Sequence, residues 1–151
     1  SLPKGRKSID IRDSRHFREC DLALRQLGIR FFPITLGPMR MLTKRGMKLK
    51  QKIKKLLPRS RVIEVYPGAT YDVFRAGRKN KRSIRSLFRR FRIRMPSRSL
   101  TQDELDGACC ALTGKLYLEG SAMAIGNPKE GTIFIPKASH SSDLRSNKKL
   151  G

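Results

Sequence analysis

Acidic residues are what this chain has least of. Twelve Asp and Glu stand against 35 Lys and Arg, a net charge of +23 over 151 residues. The acids also leave long gaps, with none between Asp21 and Glu64 or between Asp72 and Asp103. Self-repulsion on this scale adds nothing to the stability of an isolated fold, so a polyanionic partner is implied. Nucleic acid is the commonest such partner. Three cysteines, Cys20, Cys109 and Cys110, make no disulfide framework, because adjacent cysteines rarely bridge and one is left over. A reducing, cytoplasmic compartment follows as the expectation. With no CxxC pair and only two histidines, a structural zinc site is not expected. No apolar run approaches the ~20 residues of a membrane span, no signal peptide is expected at the start, and aromatics, at 7%, are too few to favour a membrane-surface anchor. Neither His16 nor His140 has a nucleophile partner in sequence, and the basic run from Gly77 lacks the spacing of a phosphate-binding glycine loop.

What is present reads as one α/β domain over residues 1–137 and a basic flexible tail over 138–151. Residues 16–27 carry Phe17, Cys20, Leu24 and Leu27 at helical spacing, with Ser14 as N-cap and Gly28 at the C-terminus. Pro38 opens a second helix that Pro58 closes. Its Met39, Leu42, Met47, Leu49, Ile53, Leu56 and Leu57 form an imperfect apolar face and its methionines read as core filler. Val62, Ile63, Val65 and Tyr66 surround Glu64 in a short strand stopped by Pro67-Gly68. In a covered central strand Glu64 is buried; in an edge strand it faces water. A short helix over Pro67 to Phe74 follows. Residues 75–98 then hold eleven basic residues and no acid, with Ile84, Leu87, Phe88 and Phe91 as one stripe of a basic amphipathic helix ended by Pro96. Thr101 and Glu104 fit a capping box for a helix that runs to about Gly120. Residues 121–125 and 132–135 read as two last strands.

The scarce carboxylates are the candidates for chemistry. Capping and the helix macrodipole account for Asp103 and Glu104. Glu64 at a strand end and Asp106 one turn into its helix remain as hard oxygen ligands for Mg²⁺ or Mn²⁺. At least one of Cys109 and Cys110, among small apolar residues, reads as inert core.

Seven blocks then resemble a known family: Arg18-Glu-Cys-Asp-Leu22, Gly28-Ile-Arg-Phe-Phe-Pro33, Leu36-Gly-Pro-Met-Arg40, Leu42-Thr-Lys-Arg-Gly46, Val62-Ile-Glu-Val-Tyr-Pro-Gly-Ala69, Asp103-Glu-Leu-Asp-Gly-Ala-Cys-Cys-Ala-Leu-Thr113 and Gly131-Thr-Ile-Phe-Ile-Pro136. In order and spacing they are similar to an uncharacterised prokaryotic family of predicted nucleases with an RNase-H-like fold. The resemblance implies a mixed sheet flanked by helices. It also implies an acidic metal site in which Glu64 matches the family's strand-end glutamate and Asp106 its C-terminal helix aspartate. Family members begin with a strand bearing an aspartate in a Gly-Ile-Asp-like motif. This chain opens at Ser1-Leu2-Pro3, which matches the last residues of the family's second block, so the leading strands and that aspartate are missing from it.

Two expectations follow. The first is a non-catalytic RNA-binding component of a large ribonucleoprotein, with the ribosome as first candidate. It is built on a shortened RNase-H-like mixed sheet whose edge a protein partner could cover, and it needs no cofactor and no membrane. Its RNA-binding residues would be Lys44, Arg45, Lys48, Lys52 and Lys55, then Arg78, Lys79, Lys81, Arg82, Arg85, Arg89, Arg90, Arg92 and Arg94, with Lys148 and Lys149 in the tail. The alternative is a Mg²⁺- or Mn²⁺-dependent nuclease using Glu64 and Asp106, whose N-terminal catalytic strand is missing from this chain.

Overall fold

The computed structural model describes residues 2–10 and 12–137; the tail expected over 138–151, with Lys148 and Lys149, lies outside them. Among the described residues the order is α1 (Glu19–Gln26), α2 (Gly37–Leu56), β1 (Glu64–Val65), α3 (Pro67–Val73), α4 (Lys81–Arg90), α5 (Gln102–Leu118), β2 (Ala122–Asn127) and β3 (Gly131–Pro136). The strands form a small mixed sheet, β1-β3-β2. The chain is therefore mixed α/β, as the alternation of elements implies. It divides into two units, the first Ser1–Glu64 with Ile125–Ile133 and the second Val65–Ala124 with Phe134–Gly151.

The first unit is organised by buried arginines as much as by apolar side chains. Arg6 is buried and donates to four carbonyls, those of Ser8, Ile9, Asp13 and Arg15, at 3.0–3.3 Å. The irregular N-terminal segment thus wraps around one guanidinium. Helix α1 starts three residues later than its apolar spacing predicts, at Glu19 rather than His16. The reason is Asp21: its carboxylate accepts the Arg18 backbone N–H at 2.9 Å and fixes Arg18, not Ser14, as the N-cap. Gly28, at φ +72°, closes the helix as expected, with Ile29 N–H donating to the Leu24 carbonyl at 2.9 Å. Gly126 is required twice over. It sits at φ +92°, and a Cβ there would lie 2.4 Å from the Cβ of Cys20, so only glycine lets this part of β2 approach α1.

Helix α2 departs most from expectation. Pro38 lies in its first turn, and its last residue, Leu56, is two before Pro58, yet none of its residues is buried. The apolar face that reads as core is largely open: Leu42, Leu49 and Leu56 are 61%, 58% and 78% exposed, while Met39, Met47 and Ile53 are half-buried. At its N-terminal end Thr43 Oγ1 donates to the Ile34 carbonyl at 2.9 Å and Lys44 pairs with Asp10 at 2.9 Å.

The second unit holds an apolar core. Tyr71, Phe74 and Ala76 from α3 and its exit, Ile84, Leu87 and Phe88 from α4, Leu100, and Leu105, Cys109, Leu112 and Leu116 from α5 form one buried cluster. The α4 residues are those of the expected stripe, with Phe91 half-buried on its edge and 5.1 Å from Phe74, ring to ring. Asn80 caps α4 by accepting the Ser83 N–H at 3.0 Å. The helix stops at Arg90, well short of Pro96. Arg92 takes a left-handed φ of 56°, and Ile93 N–H returns to the Phe88 carbonyl at 2.9 Å, so a local closure ends it before proline is reached. The capping box of α5 forms as expected: Glu104 N–H donates to Thr101 Oγ1 at 3.2 Å and Thr101 N–H to Glu104 Oε2 at 2.9 Å. Strand β1 keeps only two of the five residues expected of it.

Candidate nucleic-acid interface

Two basic surfaces come from α2 and from the segment around α4, one in each unit. On α2, Arg45, Lys48, Lys52 and Lys55 are exposed, and Lys44 is tied to Asp10. No acidic residue lies on this helix. Around α4 the expected residues separate into two groups. Arg78, Lys81 and Arg85 are engaged internally. Arg78 pairs with Asp72 at 2.5 Å and donates to the Tyr66 hydroxyl at 3.0 Å. Lys81 donates to the Leu100 carbonyl at 2.6 Å, and Arg85 to the carbonyls of Pro96 and Arg98 at 3.2 and 2.8 Å. These three hold the loop and the helix together.

Lys79, Arg82, Arg89, Arg90, Arg92 and Arg94 are exposed, with no ion pair or hydrogen bond to a side chain among the described residues. Arg82 and Arg89 stand two turns apart on the face opposite Ile84, Leu87 and Phe88. The buried stripe therefore fixes which arginines point out, and the charge follows from the packing.

Sequence reasoning did not mark two further features. Arg75 and Arg92 both hold left-handed backbone, at φ 55° and 56°, one residue past the C-caps of α3 and α4. Glycine is the usual occupant there, and any other residue costs about 1–2 kcal/mol. Retained strain of this kind points to a use for the side chain. The second feature is Arg18, which is 1% exposed and bridges two carboxylates. It donates to Asp21 at 3.0 Å and pairs with Glu64 at 2.7 Å. Desolvation pulls the Arg18 pKa down, but the hydrogen bond to Asp21 and the charge of Glu64 outweigh it, and the net shift is upward. The i, i+3 spacing of Arg18 and Asp21 was the available signal.

Glu64 is partly exposed, its side chain retaining 41% of its surface, and it meets a guanidinium. Asp106, in the second unit, accepts from the Tyr71 hydroxyl at 2.9 Å and from Gln102 Nε2 at 2.8 Å. Each of the two expected metal ligands thus faces hydrogen-bond donors, where a divalent ion would need further oxygen acceptors. The residues present do not fit a two-metal site, and among the described residues no cluster of His, Cys, Asp or Glu is placed to hold a metal ion. Burial pushes the thiols of Cys20 and Cys109 up to about 12 and that of Cys110 to about 11. All three are protonated at neutral pH and are weak nucleophiles. No helix of the described residues is long and apolar enough to cross a membrane.

Comparison of the chain with protein-family models, with curated proteins and with solved structures returns no match.

Proposed function

We propose that this chain is a non-catalytic RNA-binding protein that serves as a structural component of a large cytoplasmic ribonucleoprotein, the ribosome being the first candidate. The observation that carries the reading is the outward arginine set of the α4 segment. Arg82, Arg89, Arg90 and Arg92 are exposed within a 28-residue run, 75–102, that contains no acid. A merely solvated charged face normally mixes signs. Arginine suits phosphate because its planar fork binds two oxygens at once and also stacks on bases. The net charge of +23 supports the same partner.

The shortened RNase-H-like architecture is part of the proposal. It is supported by the ordered blocks from Arg18 to Pro136 and by a mixed sheet accompanied by helices. The non-catalytic character is supported by the company Glu64 and Asp106 keep. A buried arginine supplies the positive charge beside Glu64, so that carboxylate has a structural role that needs no ion.

The test is direct binding and cleavage. Labelled RNAs of unrelated sequence should bind with similar affinity, because phosphate contacts position without specifying. Incubation with Mg²⁺ or Mn²⁺ should leave them intact. Metal-dependent cleavage that disappears in Glu64→Gln or in Asp106→Asn would overturn the proposal, as would failure to bind RNA at low salt.

A further inference from the structure

The apolar seam of α2 contributes no residue to the buried core. Met39, Leu42, Gly46, Leu49, Ile53 and Leu56 recur at alternating steps of three and four, the a and d positions of a heptad. Leu42, Leu49 and Leu56 are exposed, and nothing lies within 4 Å of the point where a Cβ on Gly46 would sit. Between Met39 and Leu56 the flanking e and g positions carry Thr43, Arg45, Lys50 and Lys52 and no acid. The helix also lacks the usual sources of stability. It buries no residue, and Arg40, Lys44, Lys48 and Lys52 stack like charges at every fourth position, each pair unfavourable by about 0.2–0.5 kcal/mol. Most helices gain their stability from a packed apolar face; here Met39 and Ile53 are only half-buried, Leu42, Leu49 and Leu56 are exposed, and the charges along the margins are all positive.

We propose that α2 is one half of a heterotypic coiled coil whose partner is an amphipathic protein helix with acidic residues flanking its own apolar seam. A second copy of this chain is ruled out as occupant, because Arg45, Lys50 and Lys52 would then face like charges across the seam. RNA has no need of a leucine row. An anionic lipid surface favours a broad apolar face with aromatic anchors; this seam is two residues in seven, bordered closely by cations, and α2 contains no aromatic residue. The α4 arginines that carry the RNA reading take no part in this proposal, whereas Arg45 and Lys52 of α2 would serve the protein partner here.

The full chain is titrated with a synthetic peptide of about four heptads carrying Leu and Ile at a and d and Glu at e and g. A second peptide replaces every Glu with Lys, and vesicles of phosphatidylglycerol and phosphatidylcholine are tested alongside. The Glu peptide should bind about ten-fold or more tighter than the Lys peptide. The double variant Leu42→Gln, Leu49→Gln should lose binding by a similar factor while keeping the wild-type melting temperature and RNA affinity, because both side chains are exposed. Gly46→Ala, which makes the helix itself more favourable, should not restore it. Equal binding of both peptides, no peptide binding, or binding untouched by the leucine changes would overturn the proposal. Vesicle binding lost in the double variant without peptide binding would assign the seam to lipid, and a fall in RNA affinity would assign it to RNA; either result also overturns it.

Discussion

The two units use arginine in opposite ways. In the first, arginine is an interior component: Arg6 gathers four carbonyls and Arg18 joins two carboxylates, both nearly out of contact with water. In the second, an apolar cluster of eleven residues makes the interior, and Arg82, Arg89, Arg90 and Arg92 stay outside. A basic protein can hold positive charge inside only where each donor finds an acceptor, because an unpaired buried ion is costly. Arg6 and Arg18 meet that condition with carbonyl and carboxylate oxygens. Arg82, Arg89, Arg90 and Arg92 on the surface of the second unit meet it nowhere among the described residues, and an external polyanion is their natural complement.

The contrast can be broken by substitutions that act differently in the two units. Arg18→Ala should be the most damaging, by about 3–5 kcal/mol, because it leaves Asp21 buried and unpaired. Urea denaturation measures this, and a loss under about 1 kcal/mol would mean that the buried pair contributes little. Leu112→Ala in the second unit should cost about 2–4 kcal/mol through an apolar cavity, with no dependence on salt. Arg75→Gly and Arg92→Gly should each stabilise by about 1 kcal/mol, since glycine accepts the left-handed backbone without penalty, while weakening RNA binding. Stabilisation without loss of RNA affinity would show that those side chains have no phosphate role.

The smallest effect concerns acid. The hydrogen bond from Arg98, with that from the Thr101 backbone, holds the Glu104 carboxyl at about 2, below its ordinary 4.5. A depressed folded-state value gives stability that is fully present above pH 4.5 and is lost as pH falls towards 2. The stability advantage of the wild type over Glu104→Gln should close across that interval; a gap unchanged at pH 2 would remove the Arg98–Glu104 pair as its cause.

Elements with a local signature were legible. The Thr101–Glu104 box, the α4 stripe and Gly28 as a helix stop depend on neighbours a few residues away, and each forms as its sequence implies. What failed depends on distant contacts. The apolar row of α2 has the periodicity of a buried face, and periodicity does not say whether a partner is on the same chain. Pro96 looked like the end of α4, but the turn at Arg92 acts first, and a left-handed arginine leaves no compositional trace. The bonds of Arg85 to the carbonyls of Pro96 and Arg98 have no signal in sequence, because the loop brings those carbonyls to it. The partner of Glu64 has no trace in its local sequence, since Arg18 lies 46 residues away. Gly126 carried no signal in sequence for its close approach to Cys20.

On the proposed function the outward arginines of the α4 segment hold RNA by its phosphates, and the salt dependence of binding puts this to the test. Affinity for one single-stranded RNA is measured from low to moderate salt for the wild type and for Arg82→Gln, Arg89→Gln, Arg92→Gln combined. Each lost phosphate contact should lower the slope of log K against log salt by about 0.7, so the triple variant should lose about 2 in slope together with affinity. A triple variant that keeps the wild-type affinity and slope would contradict the account.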